Sequence, residues 1–351
     1  MGSFIVRRIL IGIPVLVGIT IVGFVILSLA PGDPVSGLVD PERLATMSPA
    51  QLQQLRRELG LEGPMTVRYC RWLGACSPRG RGTGMVLSDH GLPNFFPAPL
   101  GGGSNGILHG DFGYSIKSGR PIIEEVVPRV EPTLVLMGIS LLLAAGVGIS
   151  FGIVSAVRQY GTLDYFLTTI TLMMISTPTF VLGLIFLYVF GVSLRLLPVG
   201  GMYTLGLEFD LGDRLGHLVM PATILGLANA APLLRYVRTS MLEVLNSDYI
   251  RTAQAKGLIA RAVLLRHGLR NALLPVITVV ALLLPDVVGG AIITEQVFSW
   301  PGMGLLAVRA AQDRDPSLMM AIVLMVGAAV LGSNLLADVA YGVADPRVRY
   351  D

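Results

Sequence analysis

Charge is scarce in this sequence. Only 14% of its 351 residues are Asp, Glu, Lys or Arg, while 53% are hydrophobic. Mean hydropathy is +0.69. A soluble domain of this length needs far more charge to cover its surface, so a water-soluble globular protein is excluded as the main expectation. The net charge of +3 is too small to argue for a nucleic-acid partner. Basic residues are almost all Arg, and Lys117 and Lys256 are the sole lysines.

Reactive residues are scarce too. A phosphate-cradling loop requires Gly-Lys-Ser/Thr, but Lys117 follows Ile116 and Lys256 precedes Gly257, so the chain has no P-loop. The four histidines, His90, His109, His217 and His267, are far apart and form no pair at metal-ligand spacing. None falls well inside an apolar segment, which argues against an intramembrane protease. The two cysteines, Cys70 and Cys76, flank RWLGA. Outside the cytoplasm such a pair can close a small disulfide loop, and two free thiols are the alternative.

What the sequence has is long apolar runs. A helix needs about 20 apolar residues to cross a bilayer. Six segments qualify or nearly so: 9–30, 133–157, 165–192, 218–234, 272–298 and 318–343. They are continuous rather than alternating, which favours helices over a β-barrel. The first follows Arg7 and Arg8 but ends in Pro-Gly-Asp-Pro rather than a small-x-small site, so it reads as a retained span and not a cleaved signal. Basic residues concentrate in the short loops on one side: Arg7, Arg8, Arg158, Arg235 to Arg270, Arg347 and Arg349. The positive-inside rule then puts both termini in the cytoplasm.

The segment 31–132 is a large extracytoplasmic loop region. Within it SPAQLQQLRRELG carries a capping-box pattern, with Ser48, Pro49 and Gln51, and leucines at helical spacing. It predicts a short amphipathic helix packed on the membrane-facing part or, alternatively, docking a partner. Residues 75–107 are Gly- and Pro-rich, without periodicity, and read as irregular loop.

Polar groups at membrane depth are costly unless they face protein or a watery path. Asn229, Asp286 and Glu295 are the candidates for lining such a path, beside Pro232 and Pro285. Asn334 and Asp338 read as structural groups, and Gly148 and Gly152 as a helix contact.

Between two apolar runs lies DYIRTAQAKGLIARAVLLRHGLRNALLP, from Asp248 to Pro275. Asp248 can cap a helix starting at Tyr249, with Ala253 on the same face. Gly257 permits a bend, and a second basic helix follows. Two short helices hinged at a glycine make a compact cytoplasmic knob. A basic face resting on lipid headgroups would explain the arginines but not the hinge.

This stretch resembles the coupling motif of ABC importer permeases: a small-residue triplet at Arg251-Thr252-Ala253, then Gly257, then a basic helix. The general ending Ile-x-Leu-Pro is absent, since His267, Gly268, Leu269 and Arg270 stand there. That departure resembles the dipeptide/oligopeptide/nickel subgroup. So do PGDP at 31–34, GDFGYSIKSGRP at 110–121, STPTF at 176–180, EQVFSWPGMG at 295–304 and DPRVRY at 345–350. The segment 75–107 looks like an insertion relative to that family.

The resemblance implies an all-α integral membrane protein with six transmembrane helices of the type I ABC importer permease fold. It implies a first helix over 1–30, the loop domain over 31–132, a five-helix core over 133–343 with its coupling motif at 248–270, and a cytoplasmic tail at 344–351. Tyr249, Arg251, Thr252, Ala253, Ala255, Lys256, Gly257, Leu258 and Arg266 would contact an ATPase. The implied partners are a second homologous permease, two ABC ATPase subunits that bind ATP and Mg, an external substrate-binding protein and the bilayer of a bacterial inner membrane. The chain itself would be non-catalytic and hold no cofactor. A peptide is the expected substrate. Nickel or another small solute is the nearer alternative, and an ion-gradient-driven secondary transporter the farther one.

Overall fold

The structure, a computed structural model, describes residues 2–30, 35, 41–58, 61, 63–75, 106–259 and 291–344, with isolated positions between 260 and 290. In chain order the helices are α1 (Gly2–Leu29), α2 (Pro41–Thr46), α3 (Pro49–Glu58), α4 (Met65–Leu73), α5 (Ile122–Val157), α6 (Thr162–Ser176), α7 (Thr179–Phe186), α8 (Leu211–Leu245), α9 (Asp248–Ala255), α10 (Met303–Gln312) and α11 (Pro316–Ala344). Residues 291–297 are also helical. Among the described residues the sole β feature is a bridge between Tyr114 and Pro121.

Four helices are long and apolar enough to cross a membrane: Ile5–Leu29, Ile122–Val157, Leu211–Leu245 and Pro316–Ala340. The third expected span is not one straight helix. It breaks into α6 and a second piece, Thr179–Ser193, bent by 105°. Thr177 is extended, with φ −98° and ψ 125°, because the ring of Pro178 disfavours helical backbone in the residue before it. Counting the bent pair as one span gives five among the described residues. The expected span 272–298 lies largely outside them, so the described chain is an all-α multi-pass fold without six demonstrated crossings.

The fourth span is longer than its apolar run. Asp210 caps α8 by accepting from Gly212 and Asp213 N–H groups. At the other end the helix runs on through the charged stretch after Leu234, because Val237, Ser240 and Met241 remain buried there. Helical packing, not membrane thickness, sets where it stops.

The chain forms two compact units. The first comprises residues 1–10, 131–305 and 329–351. Its core has three parts along α8. Leu218, Ala222 and Leu225 pack with Leu136, Ala291 and Trp300. Met220 and Ile224 pack with Phe298. Leu233, Val237 and Met241 pack with Ala156, Ala272, Val276 and Leu283. Gly148 and Gly152 let α5 approach α8: a Cβ at Gly148 would lie 3.0 Å from Leu233, and one at Gly152 would lie 2.7 Å from Val237. In lipid, where apolar surfaces gain little from mutual burial, such close backbone approach is a main source of helix association.

The second unit comprises residues 11–130 and 306–328. The α3 capping box forms reciprocally: Ser48 N–H donates to Gln51 Oε1 at 2.8 Å, and Gln51 N–H donates to Ser48 Oγ at 3.3 Å. Leu52 and Leu55 pack on Val35 and Ile116, so this helix covers residues of the loop region itself. Tyr69 of α4 shares a hydrogen bond with Thr20 at 2.9 Å and stacks edge-on against Phe24. The GDFGYSIKSGRP stretch turns back on itself through Ser115 N–H to Arg120 O at 2.9 Å. Its Ser115 hydroxyl donates to Asp315 at 2.7 Å, and the same carboxylate caps α11 by accepting from Leu318 N–H at 3.0 Å.

Candidate coupling site and transport path

The knob begins one residue earlier than expected. Ser247, not Asp248, precedes the first helical residue of α9: its carbonyl accepts from Ile250 N–H at 3.1 Å and Arg251 N–H at 3.3 Å. Asp248 is instead the first residue in the helix, where its negative charge suits the N-terminal dipole. Thr252 Oγ1 donates back to Asp248 O at 2.9 Å.

The buried face also differs. Ile250 and Ala253, three apart, pack with Val263. Tyr249 sits off this face and is 44% exposed. Tyr249 and Ile250 both lie one turn before Ala253, and Val263 packs on the Ile250 side. Leu258 and Ile259 are exposed. Arg251, Thr252, Ala255 and Lys256 are exposed as well. The segment therefore offers three apolar side chains and two cations outward from a small buried base.

The glycine does what its position suggested. Gly257 has φ +76°, the left-handed region that ends helices. Leu258 N–H closes back to Ala253 O at 3.4 Å and Lys256 N–H to Thr252 O at 3.1 Å. This is the reach of a Schellman stop, and no heavy atom lies within 4 Å of a Cβ placed at Gly257. Its constraint is conformational, not steric. Arg266 lies outside the described residues.

Two of the three path candidates, Asn229 and Glu295, are among the described residues. Asp286 lies outside the described residues. Asn229 turns to its own helix, with Nδ2 donating to Leu225 O at 2.8 Å. Glu295 is fully buried. Its Oε1 accepts the Thr133 hydroxyl at 2.7 Å, and its Oε2 accepts Gly304 and Leu305 N–H at 2.7 and 3.0 Å. Thr133 Oγ1 in turn accepts Met303 N–H at 2.8 Å. Glu295 is thus the buried cap of α10. Asp338 pairs with Arg8 at 3.2 Å, a structural role as expected. Cys76 lies outside the described residues, while among the described ones no cysteine is free.

Sequence reasoning missed one constellation. Asp164, near the start of α6, is 3% exposed. Arg238 of α8 grips it in a fork, Nε to Oδ1 and a terminal nitrogen to Oδ2, both at 2.9 Å. Ser155 Oγ also donates to Oδ1, and Tyr160 N–H donates to Oδ2 at 2.9 Å. Arg238 was visible only as one of several loop cations. Its partner lies 74 positions away, and no local pattern links them. Among the described residues no group of three or more His, Cys, Asp or Glu is placed to hold a metal.

Comparison with known proteins bears on the whole chain. Residues 148–350 match the family model of the binding-protein-dependent transport system inner membrane component, and residues 1–84 match the N-terminal model of binding-protein-dependent transport system membrane components. The oligopeptide transport system permease protein AppB of Bacillus subtilis (strain 168) is 41% identical over 351 residues, covering 100% of both chains. The dipeptide transport system permease protein DppB of Escherichia coli (strain K12) is 35% identical over 371 residues, covering 100% of this chain and 99% of that one. A structure of the MetNI methionine ABC transporter in inward-facing conformations superposes with a TM-score of 0.54 at 16% identity, covering 64% of this chain and 98% of that one. That likeness concerns the fold. The family match over more than half of the chain, with full-length relatives above 30% identity, decides the rest: the chain belongs to the family of inner membrane components of binding-protein-dependent transport systems.

Proposed function

We propose that this chain is the permease subunit of an ATP-driven peptide importer, forming half of the translocation path. The observation that carries the reading is the α9 knob. It stands on a small buried base of Ile250, Ala253 and Val263 and presents Tyr249, Leu258 and Ile259 outward beside Arg251 and Lys256. Exposed apolar residues flanked by cations suit a protein groove better than water. The sequence has no P-loop of its own, so the energy enters from another chain. Peptide is favoured as cargo because the full-length relatives are named oligopeptide and dipeptide permeases.

In this reading a second, homologous permease completes the path, and two ABC ATPase subunits bind ATP and Mg. An external binding protein delivers the peptide. The chain crosses a bacterial inner membrane six times, with both termini in the cytoplasm and 31–132 outside. ATP-driven closure of the ATPases moves the paired knobs and switches the spans between two orientations. The site residues of the knob are Tyr249, Arg251, Thr252, Ala253, Ala255, Lys256, Gly257, Leu258 and Arg266, and Asn229, Asp286 and Glu295 remain the path candidates.

The test is gentle purification from the native membrane, followed by reconstitution into vesicles. P-loop ATPases and a second permease should co-purify, and radiolabelled di- to pentapeptide uptake should require internal ATP. Uptake driven by an ion gradient in vesicles holding this chain alone would overturn the reading, and ATP-driven uptake of nickel without peptide would replace the cargo.

A further inference from the structure

The knob is held at both of its stalks by α8. On the entry side, α8 passes through Ser247 directly into α9. On the exit side, Ser240 Oγ of α8 donates to the carbonyl of Ala272 at 3.1 Å. Between the two, Arg238 forks onto Asp164 of α6. Asp164 and Ser240 are both buried. These ties lie within one compact unit of the chain.

The Asp164 carboxylate is saturated. Two guanidinium nitrogens, the Ser155 hydroxyl and the Tyr160 amide all donate to it. Tyr160 adopts φ +60° in the tight turn between α5 and α6, a conformation that side chains other than glycine rarely take. The carboxylate therefore fixes three things at once: the end of α5, the start of α6 and a point on α8 about three turns before the knob. A bidentate Arg–carboxylate pair constrains angle as well as distance, which a single lysine contact does not. From this joint α6 leads to the bend at Thr177-Pro178, where the chain turns by 105°.

We infer that the Asp164–Arg238 pair is the rigid joint that carries displacement of the knob into α6 and the bent pair beyond it. Arg238 and Asp164 are positioning residues for transport: they act through the helices they join. The inference rests on the coupling role of α9 proposed above. If the pair were only a fold clasp, its loss would lower the amount of assembled complex and leave transport per ATP unchanged. If it is the joint, the ATPases still close and hydrolyse while the spans follow poorly.

The experiment uses the whole importer in vesicles and measures peptide taken up per ATP hydrolysed. Variants are Asp164→Asn and Arg238→Lys, each compared with the wild-type complex. For both pair variants the ratio should fall at least fivefold while ATP hydrolysis per assembled complex stays within about twofold of wild type. Spin labels on α6 and α9 should also lose their correlated ATP-dependent shift. An unchanged ratio in an assembled variant overturns the inference. So does failure of both variants to assemble, which would make the pair a clasp. If wild-type complex itself shows no ATP-driven uptake, the proposed function fails instead.

Discussion

Thr133 and Glu295 meet across 162 positions of sequence, the threonine hydroxyl donating to the carboxylate at 2.7 Å. Around this contact a point about three turns into α5, the 291–297 helix and the first turn of α10 are joined. Trp300 adds a lid: its indole N–H donates to Pro132 O at 2.9 Å, and its backbone N–H to Glu295 O at 2.8 Å. There is no slack here. A Cβ at Gly302 would fall 2.2 Å from Glu295 Oε1 and 2.4 Å from Thr133 Oγ1.

Glu295→Ala should therefore unfold this corner. It strands the Thr133 hydroxyl and two backbone N–H groups in a buried site, at a cost of about 3 kcal/mol. A thermal melt of the purified complex in detergent should show a lowered midpoint. If the melt is unchanged while peptide uptake falls, Glu295 acts on the path and not as a cap.

Gly152→Ala should loosen the α5–α8 contact. The new methyl group meets Val237 at 2.7 Å, and overpacking of this kind costs about 1–3 kcal/mol. The 2.7 Å approach is to the Cβ of Val237, so Val237→Gly in the same chain should recover part of the loss in yield and melting point. Additive losses in the double variant would show that the two helices are not limited by this contact.

Gly257→Pro should abolish coupling while leaving the spans intact. Proline fixes φ near −65°, whereas Gly257 sits at +76°. Gly257→Ala should be milder, about 1 kcal/mol of local strain, because no atom lies near the added carbon. Circular dichroism should be unaltered in both, and ATP-driven uptake should fall more for proline. Wild-type uptake by the proline variant would sink the lever model.

Ile259→Glu should weaken retention of the ATPases. Ile259 is 72% exposed, so the change costs the fold little while placing a charge where an apolar groove is expected. Co-purified ATPase per permease should fall several-fold. Equal retention would move the docking surface elsewhere.

Cys70 and Cys76 should be joined. Maleimide should label neither in native membranes before reduction and both after it. Labelling without reductant would show free thiols on whichever side they face.

The helical, membrane-embedded character was legible in the sequence, because continuous apolar runs of span length leave the backbone few alternatives in lipid. The α3 capping box, the glycine stop at Gly257 and the Gly148/Gly152 contact were legible for a similar reason. Each depends on neighbours a turn or so apart, or on the lack of a side chain. The resemblance of scattered short motifs, in order along the chain, led to the family. Cap and buried face were harder: Ser247 and Asp248 are both good caps, and Tyr249 and Ile250 both lie one turn before Ala253, so spacing alone does not say that Val263 meets Ile250.

Only tertiary structure decided what the polar residues do. For Glu295 the sequence reports that an acid lies at depth, not which donors surround it. Asp164 and Arg238 carried no shared signal, being 74 residues apart. The apolar run at 165–192 hid a bend of 105°, since hydropathy measures transfer from water and is blind to chain direction. Sequence determined which segments leave water and where helices can stop. Folding decided which buried charges find partners, because hydrogen bonds and ion pairs depend on distances that the linear order does not contain.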